Sequence, residues 1–278
     1  MANHLTGKSV FITGAGGGFG RLIAENAAAL GAKVTCADID GEAASQTATM
    51  IANTSGAALA VKVDVTDLSA MKAAVEQAVE SQGAVDVMVN NAGVMPLAFF
   101  SDHEAAHDKW TRCLDINIKG VLNGITAVYD HMMTKGSGHV INISSIYGNF
   151  PVVGAGVYGA TKAAVNYLSE SLRVETRGKI KVTIVKPTGV PLTGLSAGVV
   201  NPEAVVGILG QNTPEFLETM QALEEGEVEK ARLDAADIDC RVLDPAHIAD
   251  QVIHAMNQPP GVSVGDITVR AAGDHYIL

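Results

Sequence analysis

Short β-branched apolar runs alternate with longer alanine-rich stretches, and that alternation limits the folds open to this chain. SVFIT (9–13), KVTCAD (33–38), ALAVKVDV (58–65), VDVMVN (85–90), HVINIS (139–144), KVTIVKP (181–187) and DITVRA (266–271) read as strands. Most are continuously apolar rather than alternating, as expected of strands covered on both faces. Helical patterns fill the gaps: Phe19 to Leu30, Gly41 to Ala52, Leu68 to Ser81, a long stretch ending near His131, and Tyr158 to Thr176. Strand and helix in turn at this spacing predict βαβ units and a parallel sheet.

The 278 residues allow one large domain of this kind or two small ones. No low-complexity linker divides them, so one domain over 1–278 is expected. The rhythm breaks once, between Gly189 and Leu243, where more than fifty residues separate two strands. This 190–243 insertion includes a helical pattern from Thr213 to Glu229 and an acidic patch of Glu224, Glu225, Glu227 and Glu229. A long insertion after a strand of an open α/β sheet is placed to cover the ligand crevice, and a lid is expected. A formal net charge of −11 repels phosphate backbones and anionic lipid surfaces, which argues against nucleic acid and membranes as partners. Three widely spaced cysteines, Cys36, Cys113 and Cys240, suit a reducing compartment, and no apolar run approaches a bilayer span, so a cytoplasmic protein is expected.

The first strand runs into TGAGGGFG (13–20) and then a helix. Glycine permits the tight turn and leaves the backbone open to a ligand. The helix start behind it offers free N–H groups and a positive dipole end, which suit a pyrophosphate. Asp38, at the end of the second strand, is placed to bond the ribose hydroxyls of an adenosine and to repel a 2′-phosphate. No Arg or Lys lies within the glycine loop or directly after Asp38, so NAD is favoured over NADP.

Further on, YGATK places Tyr158 and Lys162 four apart, on one helical face. Ser145 ends the strand HVINIS, and Asn117 lies in DINIKG within the long helix.

With these motifs in order, the chain resembles the short-chain dehydrogenase/reductase family over nearly its whole length. The matching residues are TGAGGGFG, Asp64-Val65, NNAG (90–93), Asn117, Ser145, Tyr158, Lys162 and Pro187. The resemblance implies an α/β three-layer Rossmann fold, a doubly wound parallel sheet of seven strands with helices on both faces. It implies an NAD-dependent oxidoreductase acting on the CH–OH group of its donor, with Tyr158 as general acid/base. Lys162 would favour the phenolate and hold the nicotinamide ribose, Ser145 would orient the substrate oxygen, and Asn117 would hold a water linking Lys162 to solvent. A free tyrosine titrates near 10, and lowering this by ~2–3 units takes roughly 3–4 kcal/mol. Cofactor contacts would come from Gly14, Gly17, Gly18, Phe19, Gly20, Asp38, Asp64, Val65, Asn91, Gly93, Tyr158, Lys162, Pro187 and Val190. Family members commonly form homotetramers, and HYIL (275–278) is compatible with a subunit contact. Two departures stand out: Thr188 follows Pro187 where the family has glycine, and Thr193 falls one residue late.

Met95, Pro96, Ile146, Phe150, Val152, Val153, Leu192 and Leu195 are expected near the open nicotinamide face. This apolar set points to a hydrophobic, cyclic secondary alcohol and its ketone: terpenoid, cyclohexanol-like or steroid-like. The alternatives carried are an NADPH-dependent ketoreductase and a catalytically silent NAD-binding module. HEAAH (103–107) fits a zinc pattern, with His103 and His107 on one face and Glu104 as a base, and would make a metallohydrolase. No third ligand follows in a zincin-like pattern, so no metal is expected.

Overall fold

The computed structural model describes residues 2–54, 56–190, 193–226 and 230–277. Its strands are β1 (Ser9–Thr13), β2 (Lys33–Asp38), β3 (Ala57–Lys62), β4 (Val87–Asn90), β5 (Gly138–Ile143), β6 (Ile180–Pro187) and β7 (Asp266–Val269). They form one seven-stranded sheet in the order β3-β2-β1-β4-β5-β6-β7, every pair parallel. The chain starts mid-sheet, builds outward to β3, then returns to the other side of β1 with β4. At that reversal the loops after β1 and β4 diverge and leave a crevice.

The helices are α1 (Gly18–Ala29), α2 (Gly41–Asn53), α3 (Leu68–Gln82), α4 (His103–Leu114), α5 (Gly120–Lys135), α6 (Gly156–Glu175), α7 (Val206–Leu209), α8 (Thr213–Glu225), α9 (Lys230–Leu233) and α10 (Pro245–Met256). Strand alternation assigns them to layers. Val10 and Ile12 of β1 bury with Ile23 of α1 and Ile248 and Val252 of α10. Phe11, between them, points to the other face and buries with Met71 of α3, Val128 of α5 and Val165 of α6. Asp40, Asp67 and Asp244 cap α2, α3 and α10 by accepting backbone N–H bonds, each worth about 1 kcal/mol.

The sheet agrees with the sequence reading to within a few residues at strand ends. The long helix does not continue unbroken: a π-helical turn, Asp115–Lys119, separates α4 from α5 and carries Asn117. Helix α10 was not read from the sequence. The predicted helix from Thr213 ends at Glu225, capped by Gly226 at φ +72°, and Glu227 and Glu229 lie outside the described residues. All three cysteines are free and buried.

Candidate active site

The glycine loop begins with two residues in the left-handed region: Gly14 at φ +66° and Gly18 at φ +49°. Gly20 is required by contact instead, because a Cβ there would stand 2.1 Å from the Gly14 carbonyl oxygen. Gly17 is extended, caps α1 with no side-chain bond, and a Cβ there would meet nothing within 4 Å. The loop is therefore tight on its inner side and open on its outer side, above the N–H groups that begin α1. Such a cradle fits a pyrophosphate, and a dinucleotide would lie along it. Thr13 and Asn91 weld the loop to the NNAG segment. The Thr13 hydroxyl accepts from the backbone N–H of Asn91 at 3.0 Å and of Ala92 at 3.1 Å, and Asn91 Nδ2 donates to the Thr13 carbonyl at 2.9 Å. Phe19 packs into the α1 core cluster.

Asp38 ends β2 beside this loop. Its Oδ2 accepts from the Gly16 N–H at 2.8 Å, and its Oδ1 from the Asp40 N–H at 3.0 Å. Two cations lie near it that adjacency in sequence hides. Lys62 is its register partner on β3, and its stem lies against Gly41. Arg21, on the first turn of α1, donates to the Gly16 carbonyl and to Thr47 Oγ1. No Arg or Lys lies within the glycine loop or directly after Asp38, but strand pairing brings Lys62 there from 24 residues away. Asp64 turns its carboxylate onto Thr66 at the exposed end of β3, and Val65 packs against Gly120.

The first two turns of α6 place Tyr158 and Lys162 against the end of β5, where Ser145 follows. Tyr158 is 3% exposed, Lys162 and Ser145 each 6%. Lys162 Nζ donates to the Ile143 carbonyl at 2.8 Å and stands 5.8 Å from the centre of the Tyr158 ring. Burial pushes the Tyr158 hydroxyl above its usual range, partly offset by its hydrogen bond to Ser145. Burial also depresses Lys162 to about 8. In the protein alone burial dominates at Tyr158, and the Lys162 ammonium is turned toward the Ile143 carbonyl.

Asn117 sits beneath this pair with its amide fully committed. Its Oδ1 accepts from the Val94 N–H at 2.9 Å; its Nδ2 faces the Val94 carbonyl at 2.9 Å, Thr161 Oγ1 at 3.1 Å and Cys113 Sγ at 3.2 Å. Gly93 is adjacent: a Cβ there would come within 3.3 Å of Asn117 Oδ1 and 3.7 Å of Lys162 Nζ. The structure therefore gathers Gly93, Asn117, Ser145, Tyr158 and Lys162 at the crevice that also holds the glycine loop.

Comparison with known proteins bears on this arrangement. Residues 8–204 match the family described as short chain dehydrogenase. The chain belongs to that family. An uncharacterized oxidoreductase of Listeria monocytogenes, Lmo0432, is 34% identical over 94% of this chain and 95% of its own. A 7α-hydroxysteroid dehydrogenase complexed with NADH and 7-oxo glycochenodeoxycholic acid superposes with a TM-score of 0.78 at 26% identity, covering 98% of this chain and 96% of that one. A metagenomic short-chain oxidoreductase in complex with NADP gives 0.71 at 25%, covering 95% and 97%. This short chain dehydrogenase is thus an oxidoreductase of a fold that binds NAD or NADP.

In this dehydrogenase a third apolar cluster joins Tyr158 to Leu97, Ile146, Tyr147, Val152, Ile208 and Leu209, with Met95, Val199, Phe216 and Tyr276 packed against it. Ile146 and Val152 share this cluster with Tyr158. Pro96 is buried, its carbonyl accepting from Trp110 Nε1 at 3.2 Å, and Leu195 is half-buried. Phe150 and Val153 are 61% and 64% exposed and, with Tyr147 and Val152, line a groove of 640 Å³ against Gly159, Ala160 and Ala163 of α6. Leu192 lies outside the described residues. Pro187 ends β6, Val190 packs into the α1 core cluster, and a Cβ on Gly18 would stand 3.9 Å from Thr193. The late threonine thus still reaches the glycine loop.

HEAAH forms the first turns of α4, with His103, Glu104 and His107 all exposed. Among the described residues no group of three His, Cys, Asp or Glu could hold a metal, and no helix is long and apolar enough to cross a membrane.

Proposed function

We propose that the chain is an NAD-dependent dehydrogenase that interconverts a hydrophobic, cyclic secondary alcohol and its ketone. The observation that carries this reading is the Tyr158 hydroxyl beside Ser145, buried in an apolar cluster with Lys162 Nζ 5.8 Å from the centre of its ring. When bound, oxidised nicotinamide supplies a two-electron acceptor for the hydride leaving the alcohol carbon. The protein's part is to place and deprotonate the alcohol. Ser145 donates to the substrate oxygen and orients it, and Tyr158 takes the hydroxyl proton. Lys162, fixed by Ile143, stabilises the negative charge that would otherwise be costly at this depth. Asn117 spends its amide on Val94 and Thr161, so a water linking Lys162 to solvent would be held by its backbone in the π turn. Gly14, Gly17, Gly18, Gly20, Asn91, Gly93 and Val190 would hold the dinucleotide, Asp64 and Val65 its adenine, and Asp38 its adenosine ribose. The 190–243 segment would act as lid, since α7 and α8 contribute to the substrate cluster.

The dehydrogenase resembled in fold, complexed with NADH and a 7-oxo bile acid, supports an apolar ring as substrate. A second reading, an NADPH-dependent ketoreductase, draws on Lys62 and Arg21 near Asp38. The test is nicotinamide absorbance with NAD or NADP and a panel of cyclic secondary alcohols. Wild type is expected to reduce NAD, and Tyr158→Phe to lose roughly 10²–10⁴-fold in turnover while still binding NADH. Equal turnover by Tyr158→Phe would overturn the mechanism, and a preference for NADP would select the second reading.

A further inference from the structure

Thr188, the residue that interrupts the family's Pro-Gly pattern, has a partner far along the chain. Its N–H donates to the Val269 carbonyl at 3.2 Å, extending the β6–β7 ladder. Its hydroxyl lies 3.1 Å from the same carbonyl and 3.3 Å from Asp274 Oδ2. Asp274 in turn fixes the segment after β7. Its carboxylate accepts from Arg270 Nη2 at 2.7 Å and Nε at 3.0 Å and from the Tyr276 N–H at 3.1 Å. Asn212 Nδ2 donates to the His275 carbonyl at 3.0 Å, and the Ile277 N–H to the Ile208 carbonyl at 3.1 Å. The segment is thus held by the loop after β6 on one side and by the 190–243 insertion on the other.

The result is the position of Tyr276. Its ring takes the space of a side chain at Gly189: a Cβ there would lie 2.1 Å from Tyr276 Cε2 and 2.4 Å from its hydroxyl oxygen. Phe216 meets the same ring edge-on at 6.2 Å between centres. Tyr147 meets Tyr158 edge-on at 5.5 Å, and all three tyrosines share one cluster. Burial pushes the Tyr147 hydroxyl up, and its neighbours Tyr276 and Tyr158 push it the same way. Among the described residues, neither Tyr147 nor Tyr276 has a partner for its hydroxyl, and neither oxygen is a sealed, unsatisfied atom. Both tyrosines thus bring a hydroxyl, unbonded among the described residues, to the cluster that holds Tyr158.

We propose that Tyr276 and Tyr147 form a second recognition point, binding an oxygen on the substrate remote from the carbon that is oxidised. The substrate class is then a cyclic diol or hydroxyketone rather than a simple cyclic alcohol. This rests on the dehydrogenase reading above. A site built to hydrogen-bond a substrate hydroxyl discriminates strongly against the analogue lacking it, because its own polar groups are then left unpaired.

The test compares cyclohexanol with the isomeric cyclohexanediols as substrates in steady state. Wild type is expected to favour at least one diol over cyclohexanol by ~10-fold or more in kcat/KM, mostly through KM. Tyr276→Phe and Tyr147→Phe are each expected to bring that ratio near unity, while the exposed Tyr167→Phe keeps it. Fluorescence titration with NADH checks that the variants are folded and bind nucleotide. A diol preference that survives in Tyr276→Phe, or is missing in a wild type that oxidises cyclohexanol, overturns the second recognition point alone. A wild type that oxidises none of the alcohols overturns the dehydrogenase reading and this inference with it.

Discussion

Asp38 and Lys62 are register partners at the ends of β2 and β3, a carboxylate and an ammonium on neighbouring strands. The carboxylate is what would repel a 2′-phosphate; the lysine is what would welcome one once the carboxylate is gone. Asp38→Ser is therefore expected to lower the NAD-over-NADP ratio of kcat/KM by about tenfold or more. The carboxylate's bonds to the Gly16 and Asp40 N–H groups are worth roughly 1.5–3 kcal/mol each, and thermal melting checks that the variant folds. Unchanged discrimination would remove Asp38 from the cofactor site.

Gly17 and Gly20 separate a structural from a ligand requirement. A methyl at Gly20 collides with the Gly14 carbonyl, whereas a methyl at extended Gly17 touches nothing in the protein. Gly20→Ala is expected to lower the thermal midpoint by several degrees, at a cost of about 1–3 kcal/mol. Gly17→Ala should leave the midpoint where it is yet weaken NADH binding about tenfold or more, read by fluorescence titration. Wild-type affinity in Gly17→Ala would mean that the nucleotide does not cross this loop.

Lys162 is depressed from 10.5 to about 8 by burial, so its positive charge near neutrality is bought with stability. The difference corresponds to about 3 kcal/mol, and its bond to Ile143 returns about 1. Lys162→Met is then expected to be inactive but about 2 kcal/mol more stable near neutral pH in urea denaturation. The unfolded chain holds the lysine proton more tightly, so wild-type stability recovers as pH rises from 8 to 10.5 and the gap closes across that window. A less stable Lys162→Met would refute this balance.

His139 is buried at the start of β5, with one ring nitrogen bonded to Thr183 at 2.8 Å and the other unpartnered. Burial holds it at about 3 against a usual 6.5, neutral in the fold and charged once unfolded. Its contribution is complete above 6.5 and is lost as pH falls toward 3, at roughly 1.4 kcal/mol per pH unit. His139→Phe keeps a ring in the space and should flatten the acid limb of a urea-midpoint profile. Parallel acid limbs in the two proteins would exclude His139 as the titrating group.

Local patterns were legible in the sequence because local physics sets them. The apolar runs gave strands to within a few residues, and the glycine loop and the Tyr158–Lys162 spacing lie where one strand and one helix put them. What was missed depends on contacts between distant residues. Lys62 reaches Asp38 through strand pairing, and Tyr276 reaches Gly189 around the far edge of the sheet. The π turn at Asn117 changes hydrogen-bond spacing without changing the helical pattern of residues. The groove that Phe150 and Val153 line against α6 brings a loop and a helix together, and no local pattern announces that contact.

The bond between Thr188 and Asp274 spans 86 residues of chain. During synthesis the glycine loop, Ser145, Tyr158 and Lys162 all emerge before Asp274 does. A nascent chain halted past α10, whose Ile248 and Val252 complete the core behind α1, would carry a cradle for nucleotide and the reactive hydroxyl, yet lack the wall that Tyr276 supplies. Competence to hold a dinucleotide and competence to choose a substrate would therefore be acquired at different moments of translation, the second only when β7 and the residues behind it have cleared the ribosome.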